Sequence, residues 1–383
     1  MRKKILVAMS GGVDSSVAAA LLLEEGHEVA GATIRTWASN SCVSRNTRAC
    51  CGLTGVEDAR RVAEKLGIRY WVFNFEEAFK RHVVDYFASE YLSGRTPNPC
   101  IACNEHIKFR LFLKRAKQLG FDAIATGHYA RVRSDETTGS YFIEEGEDPT
   151  KDQSYVLFPL DQEVLSRLHL PIGTYEKRAI REKARSLGLS VSEKPDSQEI
   201  CFIPSNDYPA FLEKEFEVGP KEGLVRTRKG ETLGTHSGYQ RYTRGQRRGL
   251  GIPYKERLYV LETVPEANEV IVGAKSDLLD SECVVERVNW SSKPATRPFR
   301  TQVKIRSQHR KALATLELLN ETEVKVTFDE PQEAVTPGQA AVFYEGRKVL
   351  GGGWISSLRG SVPGKAKAIS EPGLLRRPSA SSQ

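Results

Sequence analysis

Long apolar segments are missing from this 383-residue sequence, and no run approaches the roughly 18 apolar residues that a membrane-spanning helix requires. The chain opens with the charged residues Arg2, Lys3 and Lys4, and only a short apolar run follows them. That pattern does not match a secretory signal peptide. We therefore expect a soluble, cytoplasmic protein without a membrane partner.

Cysteine is scarce and odd in number, with seven residues in the whole sequence. Without a secretory signal, an odd number argues against a disulfide framework and for thiols that react or bind metal in a reducing compartment. One C-x-x-C pair, Cys100 and Cys103, lacks the second pair that a zinc site would need. A polar excursion over residues 36–55 holds three further cysteines that we interpret as incidental: Cys42, Cys50 and Cys51.

Acidic residues are outnumbered, because 49 Asp and Glu stand against 56 Lys and Arg, which gives a formal net charge of +7. The resulting pI of about 8.9 suits a polyanionic partner such as nucleic acid, although a solvated surface explains it nearly as well. The length exceeds that of one ordinary domain, so we expect two or three domains.

Neither a Walker lysine motif nor a G-x-G-x-x-G spacing is present. Instead, a short apolar strand at residues 5–8 and a helix at 17–23 flank the string Ser-Gly-Gly-Val-Asp-Ser-Ser at residues 10–16. Glycines let the backbone approach a ligand closely, and the helix start presents free N–H groups beside the serine hydroxyls. The stretch therefore predicts a phosphate-binding loop.

Strand and helix patterns alternate through the first 130 residues. Further strands are predicted at 27–34, 70–75 and 122–128, and helices at 56–66, 76–92 and 106–119. This spacing predicts an open parallel sheet, whose ligands bind at the carboxyl ends of the strands. Ser10, Ile34 and Gly127 fall at such ends.

A second informative stretch contains Pro97 and Pro99, which keep the chain extended before Cys100. A helix follows, so Cys103 should lie at or near its N-terminus, where the helix dipole favours a thiolate. Much later, Cys201 stands in an apolar segment, where a lone cysteine is ordinarily a small buried hydrophobe.

The remaining sequence divides by composition. We expect residues 1–205 to form the α/β domain that carries the phosphate-binding loop, and residues 206–280, which are rich in Gly and Arg, to form a small α+β domain. Residues 281–360 alternate apolar and polar side chains and predict an antiparallel β-barrel. Residues 361–383 are Pro-, Ser-, Lys- and Arg-rich and predict a disordered tail.

Eight motifs occur in order along the chain. They are Ser-Gly-Gly-Val-Asp-Ser-Ser (10–16), Arg-Thr-Pro-Asn-Pro (95–99) followed by Cys103 and Asn104, Ala-Thr-Gly-His-Tyr-Ala-Arg (125–131), Lys-Asp-Gln-Ser-Tyr (151–155), Ile-Cys-Phe-Ile (200–203), Gly-Gln-Arg-Arg-Gly-Leu-Gly-Ile (245–252), Thr-Pro-Gly-Gln-Ala (336–340) and Leu-Gly-Gly-Gly-Trp-Ile (350–355). The first resembles the loop of the ATP pyrophosphatases, and together they resemble the bacterial tRNA-specific 2-thiouridylase family.

The resemblance implies an adenine nucleotide alpha hydrolase-like first domain and a reaction that thiolates C2 of the wobble uridine in tRNAs for Lys, Glu and Gln. ATP with Mg²⁺ would adenylate the uracil oxygen, because a neutral carbonyl has no leaving group. A cysteine persulfide, loaded by a sulfur carrier or a cysteine desulfurase, would deliver the sulfur. By position, Cys201 matches the persulfide carrier, and Cys103 matches the partner that ends in a Cys103–Cys201 disulfide.

The same resemblance assigns the binding residues position by position. ATP would be bound by Ala8, Met9, Ser10, Gly11, Gly12, Val13, Asp14, Ser15, Ile34 and Gly127. The tRNA would be contacted by Asn98, Pro99, Cys100, His128, Lys151, Asp152, Gln153, Arg306, Ser307 and Gln339. Ser307 stands where family members often carry Tyr.

Cys100 stands where some family members carry Asp, and it leaves two interpretations open. In one, Cys100 only shapes the pocket for the base, while Cys103 and Cys201 carry the sulfur. In the other, Cys100, Cys103 and Cys201 are the ligands of an iron–sulfur cluster that binds the sulfur to be transferred.

Residues 239–257 are an independent RNA-binding candidate, since they hold six basic residues, one acid and three tyrosines. The basic residues are Arg241, Arg244, Arg247, Arg248, Lys255 and Arg257. Two other functions stay open from the sequence. A ligase of the ATP pyrophosphatase type acting on a small molecule would not need Cys103 and Cys201. A non-catalytic RNA-binding protein would not need Asp14.

Overall fold

The computed structural model describes residues 2–36, 53–195, 200–203, 207–294 and 298–358. The predictions about Cys42, Cys50 and Cys51 and about a tail at 361–383 fall outside these ranges. Within them, no helix is long and apolar enough to cross a membrane.

The first part of the chain alternates strands and helices, as predicted. Its strands are β1 (Lys4–Ala8), β2 (Glu28–Arg35), β3 (Arg69–Asn74), β4 (Ala123–Ala125), β5 (Ala130–Ser134), β6 (Tyr141–Glu145) and β7 (Leu168–His169). Its helices are α1 (Val13–Glu24), α2 (Leu53–Lys65), α3 (Glu76–Phe79), α4 (Asp85–Leu92), α5 (Pro99–Ala102), α6 (Phe112–Gln118), α7 (Gln162–Leu165) and α8 (Lys177–Ser186). π-Helical turns at Lys80–Val84 and Cys103–Leu111 join α3 to α4 and α5 to α6.

Five of these strands form a parallel sheet in the order β3-β2-β1-β4-β7. Ile5, Leu6 and Val7 of β1 are fully buried because helices cover both faces of the sheet. The strand order reverses at β1, since the chain builds β2 and β3 on one side and then places β4 on the other. Such a reversal opens a crevice at the carboxyl ends of β1 and β4, where doubly wound sheets bind ligands.

The helix predicted to begin at His106 begins seven residues earlier, at Pro99. Pro99 occupies the first helical turn, and the Asn98 side chain caps it by accepting a hydrogen bond from the Cys100 N–H at 3.2 Å. Cys100 therefore lies in the first turn, and Cys103 lies one turn further along. The extended stretch that the two prolines predict ends one residue sooner than expected.

The antiparallel hairpin β5–β6 was not predicted from the sequence. The hairpin extends away from the parallel sheet of the first domain. Its strand β6 pairs with the last strand of the barrel, with Glu144 opposite Lys348. The Glu145 N–H also donates to the Arg347 carbonyl at 3.0 Å. The barrel sheet therefore continues into the first domain.

The central part is a small α+β unit, as predicted. It contains α9 (Tyr208–Phe216), β8 (Gly223–Thr227), β9 (Thr232–His236), β10 (Tyr259–Val264) and β11 (Glu269–Gly273). The four strands form one sheet in the order β10-β11-β8-β9, and its small core is built around Val225, Val260, Val270 and Val272.

The last part is the predicted antiparallel barrel. Its strands are β12 (Leu279–Trp290), β13 (Phe299–Lys304), β14 (Ala312–Leu318), β15 (Val324–Glu333), β16 (Ala340–Glu345) and β17 (Lys348–Leu358). Strands β12 and β17 pair with each other and close the six strands into a barrel, so neither remains an open edge.

The barrel and the first domain share one hydrophobic core. Ala340, Val342 and Tyr344 of β16 belong to the same buried cluster as Tyr155 and Phe158 of the first domain. The Tyr155 hydroxyl, fully buried, donates to the Ala340 carbonyl at 2.9 Å. These two parts are therefore packed as one body.

Candidate functional site

The loop between β1 and α1 lies at the carboxyl end of the central strand, as predicted. Gly12 is the N-cap of α1 and provides no side-chain cap, so the first N–H groups of the helix are not bonded by that residue. The Ser10 N–H donates to the Ser15 hydroxyl at 3.2 Å, and the Ser16 hydroxyl donates to the Gly12 carbonyl at 2.8 Å. These bonds fold the loop into a concave shape that suits an anion.

Two glycines permit the loop to pack against its neighbours. Gly11 has a φ of +72°, and a Cβ placed there would lie 2.2 Å from the Gly55 carbonyl oxygen of α2. Gly127 follows β4, and a Cβ there would lie 2.6 Å from the Ser15 nitrogen. Any larger residue at either position would displace the backbone. The loop after β1 therefore depends on glycine to pack against α2, and the loop after β4 depends on glycine to pack against the start of α1.

Asp14, the acidic residue of the loop, is held by two side chains from other parts of the domain. The Lys177 ammonium lies 2.7 Å and 2.8 Å from its two carboxylate oxygens, and the Tyr129 hydroxyl donates to Oδ1 at 2.7 Å. Sequence reasoning missed Lys177, because it begins α8 with no motif around it. Only its contact across 163 positions reveals it.

Lys194 is a second lysine that contacts the loop and that sequence reasoning missed. The Lys194 ammonium donates to the Gly11 carbonyl and to the Asp58 carboxylate, both at 2.9 Å. The Arg181 guanidinium donates to the carbonyls of Ser192 and Lys194 at 2.9 Å and 3.2 Å. The segment that ends at residue 195 is therefore fixed to the loop and to α8.

Both cysteines implied to carry sulfur contact the same large core cluster. Cys103 is buried and belongs to the large core cluster, while Cys201 is half-buried and packs against that cluster. Phe202, the residue after Cys201, is buried among Phe79, Phe87 and Phe211 and fixes the segment.

Cys100 differs from these two cysteines because its side chain is exposed. Among the described residues, no three His, Cys, Asp or Glu side chains are grouped so that they could hold a metal ion. Cys100, Cys103 and Cys201 therefore do not form a ready cluster site, and the iron–sulfur interpretation receives no support from their arrangement.

His128 was assigned to the tRNA, but it is buried behind the crevice. Its Nδ1 lies 2.7 Å from the Thr126 hydroxyl, and its ring packs on Phe109 at 5.4 Å between centroids. Burial, with a smaller effect from the Lys108 charge, lowers the pKa of His128 to about 3. The imidazole is therefore neutral at physiological pH.

The loop assigned to tRNA at residues 151–153 is anchored to its own domain and to the barrel. The Gln153 side chain accepts from the Tyr129 N–H at 2.9 Å, and the Asp152 carboxylate accepts from Gly146 N–H at 3.0 Å. Lys304 of the barrel lies 3.6 Å from Asp152. Lys151 is half-buried on the same loop.

Gln339 also holds the protein together. Its amide donates to the Thr96 carbonyl at 2.9 Å, and the Thr96 N–H donates to the Pro337 carbonyl at 2.9 Å. The barrel thereby supports the loop that carries Asn98 and Pro99. Asn98 is half-buried and Pro99 is buried.

Arg306 is exposed and lines a barrel cleft of about 470 Å³, and the neighbouring Ser307 is half-exposed. Arg310 and Lys311 also line this cleft and give it a positive character.

The basic stretch 239–257 divides into structural and exposed residues. The Arg244 side chain is only 8% exposed, pairs with Asp280 at 2.8 Å and donates to the Leu261 carbonyl, so its prediction as an RNA contact receives no support from its position. Arg241 pairs with Glu213. The basic and aromatic side chains that remain exposed are Arg247, Arg248, Tyr254, Lys255 and Arg257, and the acidic Glu256 is exposed among them.

Three family models match the chain in succession. They are the tRNA methyl transferase HUP domain over residues 3–205, the tRNA methyl transferase PRC-barrel domain over 210–274 and the aminomethyltransferase beta-barrel domain over 280–355. The fold and the site define a class of protein in which an α/β domain of the nucleotide-binding type is followed by two domains rich in β-strands.

Curated relatives match nearly the whole chain. The tRNA-specific 2-thiouridylase MnmA of Carboxydothermus hydrogenoformans is 49% identical over 357 residues, which are 92% of this chain and 98% of the relative. The enzyme of the same name from Clostridioides difficile (strain 630) is 47% identical over 356 residues, 93% of this chain and 98% of the relative. That of Geobacter metallireducens is 49% identical over 359 residues, 93% of this chain and 97% of the relative.

The family-model descriptions name methyl transferases, whereas these full-length relatives are named 2-thiouridylases. The relatives decide the assignment, because their similarity extends across all three domains at once. This chain belongs to the tRNA-specific 2-thiouridylase family.

Proposed function

We propose that this protein is a tRNA-uridine 2-sulfurtransferase that consumes ATP. The observation that carries the proposal is the combination, in one domain, of the glycine loop at the strand-order reversal and two thiols at one core cluster. A small-molecule ligase would need the loop alone, and a non-catalytic RNA-binding protein would need neither.

In the first step, the uracil O2 attacks the α-phosphorus of ATP. The bond from that phosphorus to the bridging oxygen breaks, and pyrophosphate leaves with the electron pair. Residues 8–15, Ile34 and Gly127 would bind the nucleotide, with the N-terminus of α1 facing the phosphates. Mg²⁺ binds proteins through one or two carboxylates plus substrate phosphates, and Asp14 supplies such a carboxylate. The ion would neutralise charge on the leaving pyrophosphate.

In the second step, the terminal sulfur of a Cys201 persulfide attacks C2, and AMP leaves. The Cys103 thiolate then attacks Sγ of Cys201, which forms the Cys103–Cys201 disulfide and releases the 2-thiouridine. An external thiol reductant then returns both cysteines to thiols, which completes the cycle. The persulfide sulfur would come from a sulfur carrier or a cysteine desulfurase.

The division of labour follows the three parts of the chain. Residues 1–205 would catalyse, residues 206–280 would bind tRNA, and residues 281–360 would support the loops at 95–99 and 151–153. The proposed substrates are the tRNAs for Lys, Glu and Gln, and the compartment is the cytoplasm, which holds both tRNA and ATP.

Cysteine variants test the proposal. Cys103→Ser and Cys201→Ser should each abolish 2-thiouridine formation, measured by mass spectrometry of tRNA nucleosides after reaction with a persulfide donor. Cys283→Ala is the matched control, because that thiol is buried in the barrel and burial raises its pKa to about 12. Full activity of Cys201→Ser would contradict the proposal.

The role of Cys100 is tested separately. Because the three cysteines do not form a ready metal site, protein purified without oxygen should be colourless and free of iron, and Cys100→Ser should still thiolate tRNA. A brown protein that loses iron and activity together on that substitution would establish the cluster instead.

A further inference from the structure

Lys177 is the strongest feature near the loop that the family motifs quoted above do not include. It is the first residue of α8, and its side chain is only 11% exposed. Its ammonium lies within 2.8 Å of both carboxylate oxygens of Asp14. A lysine has three N–H donors, and two of them are directed at one residue of the phosphate loop.

Neighbouring residues fix both the backbone and the side-chain ammonium of Lys177. The Lys177 backbone N–H donates to the Asp148 carboxylate at 3.1 Å, which holds the start of α8. The ammonium lies 5.5 Å from the centroid of the Tyr129 ring, and the Tyr129 hydroxyl itself bonds Asp14. A long, flexible side chain is thus held in one place before any ligand arrives, which is what electrostatic catalysis requires.

The charge balance of the loop also favours a cation of the protein at this point, in addition to the Mg²⁺ that would enter with the nucleotide. Asp14 carries a negative charge into a site whose ligand is a polyanion, and two like charges at contact distance repel strongly in a partly buried site. Lys194, the other lysine at the loop, is directed at the Gly11 carbonyl and Asp58. Lys177 is therefore the lysine whose ammonium is placed at Asp14.

We propose that Lys177 binds the phosphate chain of ATP and stabilises the charge that develops on the leaving pyrophosphate. This inference rests on the proposed function and deepens it by adding to the ATP site a residue from outside the loop. When the bond between the α-phosphorus and the bridging oxygen breaks, the electron pair passes to pyrophosphate, and the fixed ammonium lowers the energy of that charge.

The competing explanation is that Lys177 serves only as the counter-ion of Asp14 in the folded protein. The two explanations differ in what happens to nucleotides of different charge. If Lys177 contacts the phosphates, its loss weakens the binding of ATP and leaves the binding of adenosine unchanged. If the ion pair serves only the fold, its loss weakens the binding of both ligands.

The first measurement is the affinity of Lys177→Gln for ATP and for adenosine, without tRNA. We expect the variant to bind ATP at least about tenfold more weakly, because one charge-assisted contact contributes roughly a tenfold change in affinity. Its affinity for adenosine should stay within about twofold of that of the unchanged protein. Lys183→Gln is the matched control, since Lys183 lies on the same helix and also forms an ion pair, with Glu24. It should leave both affinities unchanged.

Lys177→Gln leaves the Asp14 carboxylate without its cation, and this variant could fail to fold for that reason alone. The same substitution is therefore also made in a second parent protein, Asp14→Asn. In Asp14→Asn the carboxylate is replaced by a neutral amide, so removing Lys177 no longer strands a charge. We expect Asp14→Asn with Lys177→Gln to bind ATP at least about tenfold more weakly than Asp14→Asn alone. Equal ATP affinity of these two variants would overturn the proposal.

Because the binding assay contains no tRNA and no sulfur donor, its result does not depend on the proposed reaction. If the unchanged protein failed to thiolate tRNA, the proposed function would fall while the ATP contact could still be measured. In the thiolation assay at saturating ATP, Lys177→Gln should lower kcat by about 100-fold, and Lys177→Arg should recover part of the loss.

Discussion

The side-chain amide of Gln339 in the barrel domain donates to the main-chain carbonyl of Thr96 in the first domain at 2.9 Å, across 243 positions of sequence. A side chain that resemblance assigns to tRNA contact thus has a structural bond of its own. Asn98 is a parallel case, since its side chain caps α5. Both residues shape the loop that leads to Cys100 and Cys103.

The Gln339 contact predicts a loss of stability. Gln339→Ala removes the donor and leaves the carbonyls of Thr96 and Pro97 without it, so the free energy of unfolding should fall by about 1 kcal/mol. Urea unfolding measures this. Gln308→Ala, an exposed glutamine of the same domain, is the control and should unfold like the unchanged protein. Equal midpoints for both variants would show that the bond contributes nothing to stability.

Gly127 predicts an effect on nucleotide binding. A methyl group there would overlap the Ser15 nitrogen at 2.6 Å and the Asp14 carbonyl carbon at 2.7 Å, so Gly127→Ala must displace the phosphate loop. We expect the affinity for ATP to fall by at least about tenfold, measured by calorimetry. Gly219→Ala is the control, because no atom lies within 4 Å of a Cβ at that position. Unchanged ATP affinity in Gly127→Ala would show that the loop tolerates displacement.

The basic stretch predicts two separate behaviours. Arg247→Ala with Arg248→Ala should weaken tRNA binding and reduce the slope of log affinity against log salt by up to about one unit for each arginine that pairs with a phosphate. Arg244→Ala should instead lower the free energy of unfolding by roughly 1–3 kcal/mol, because it leaves the partly buried Asp280 carboxylate without its partner. An unchanged salt slope in the first variant would mean that Arg247 and Arg248 do not touch the tRNA backbone.

His128 predicts a dependence of stability on pH. Its pKa is about 3 in the folded protein, against 6.5 as the ordinary value, so the unfolded chain binds more protons between these values. Stability contributed by the neutral ring is therefore present above pH 6.5 and is lost as the pH falls towards 3, by about 2 kcal/mol between pH 7 and pH 5. In His128→Gln the difference between urea unfolding at pH 7 and pH 5 should be smaller by that amount. An identical pH dependence in the two proteins would contradict the assignment of a neutral buried ring.

The sequence predicted features that depend on local pattern. The loop at residues 10–16, the parallel sheet and the closed barrel follow from apolar periodicity and from the position of glycines, and the structure confirms them. The strand predicted at 122–128 is shorter, Ala123–Ala125, because Thr126 and Gly127 already turn into the crevice.

Contacts between distant residues could not be predicted in this way. Lys177 and Lys194 meet the loop across 163 and 183 positions, and nothing near either residue in sequence marks it. The ion pair of Arg244 with Asp280 was missed for the same reason, since a count of charges does not reveal which charges pair in the fold. The hairpin β5–β6 escaped prediction because its partner strand lies about 200 residues later, with Glu144 opposite Lys348.

The shared core of the first domain and the barrel determines how the chain responds to unfolding and to proteolysis. The central unit, from α9 to β11, stands in the sequence between the first domain and the barrel. These two parts are held together by the contact of Tyr155 with Ala340 and by the pairing of the hairpin β5–β6 with the barrel. The central unit is therefore an insertion within a cooperative body, and not a link between separate ones. A protease cut in the exposed turn around Lys229 and Gly230 should leave two fragments that elute together and melt in a single transition.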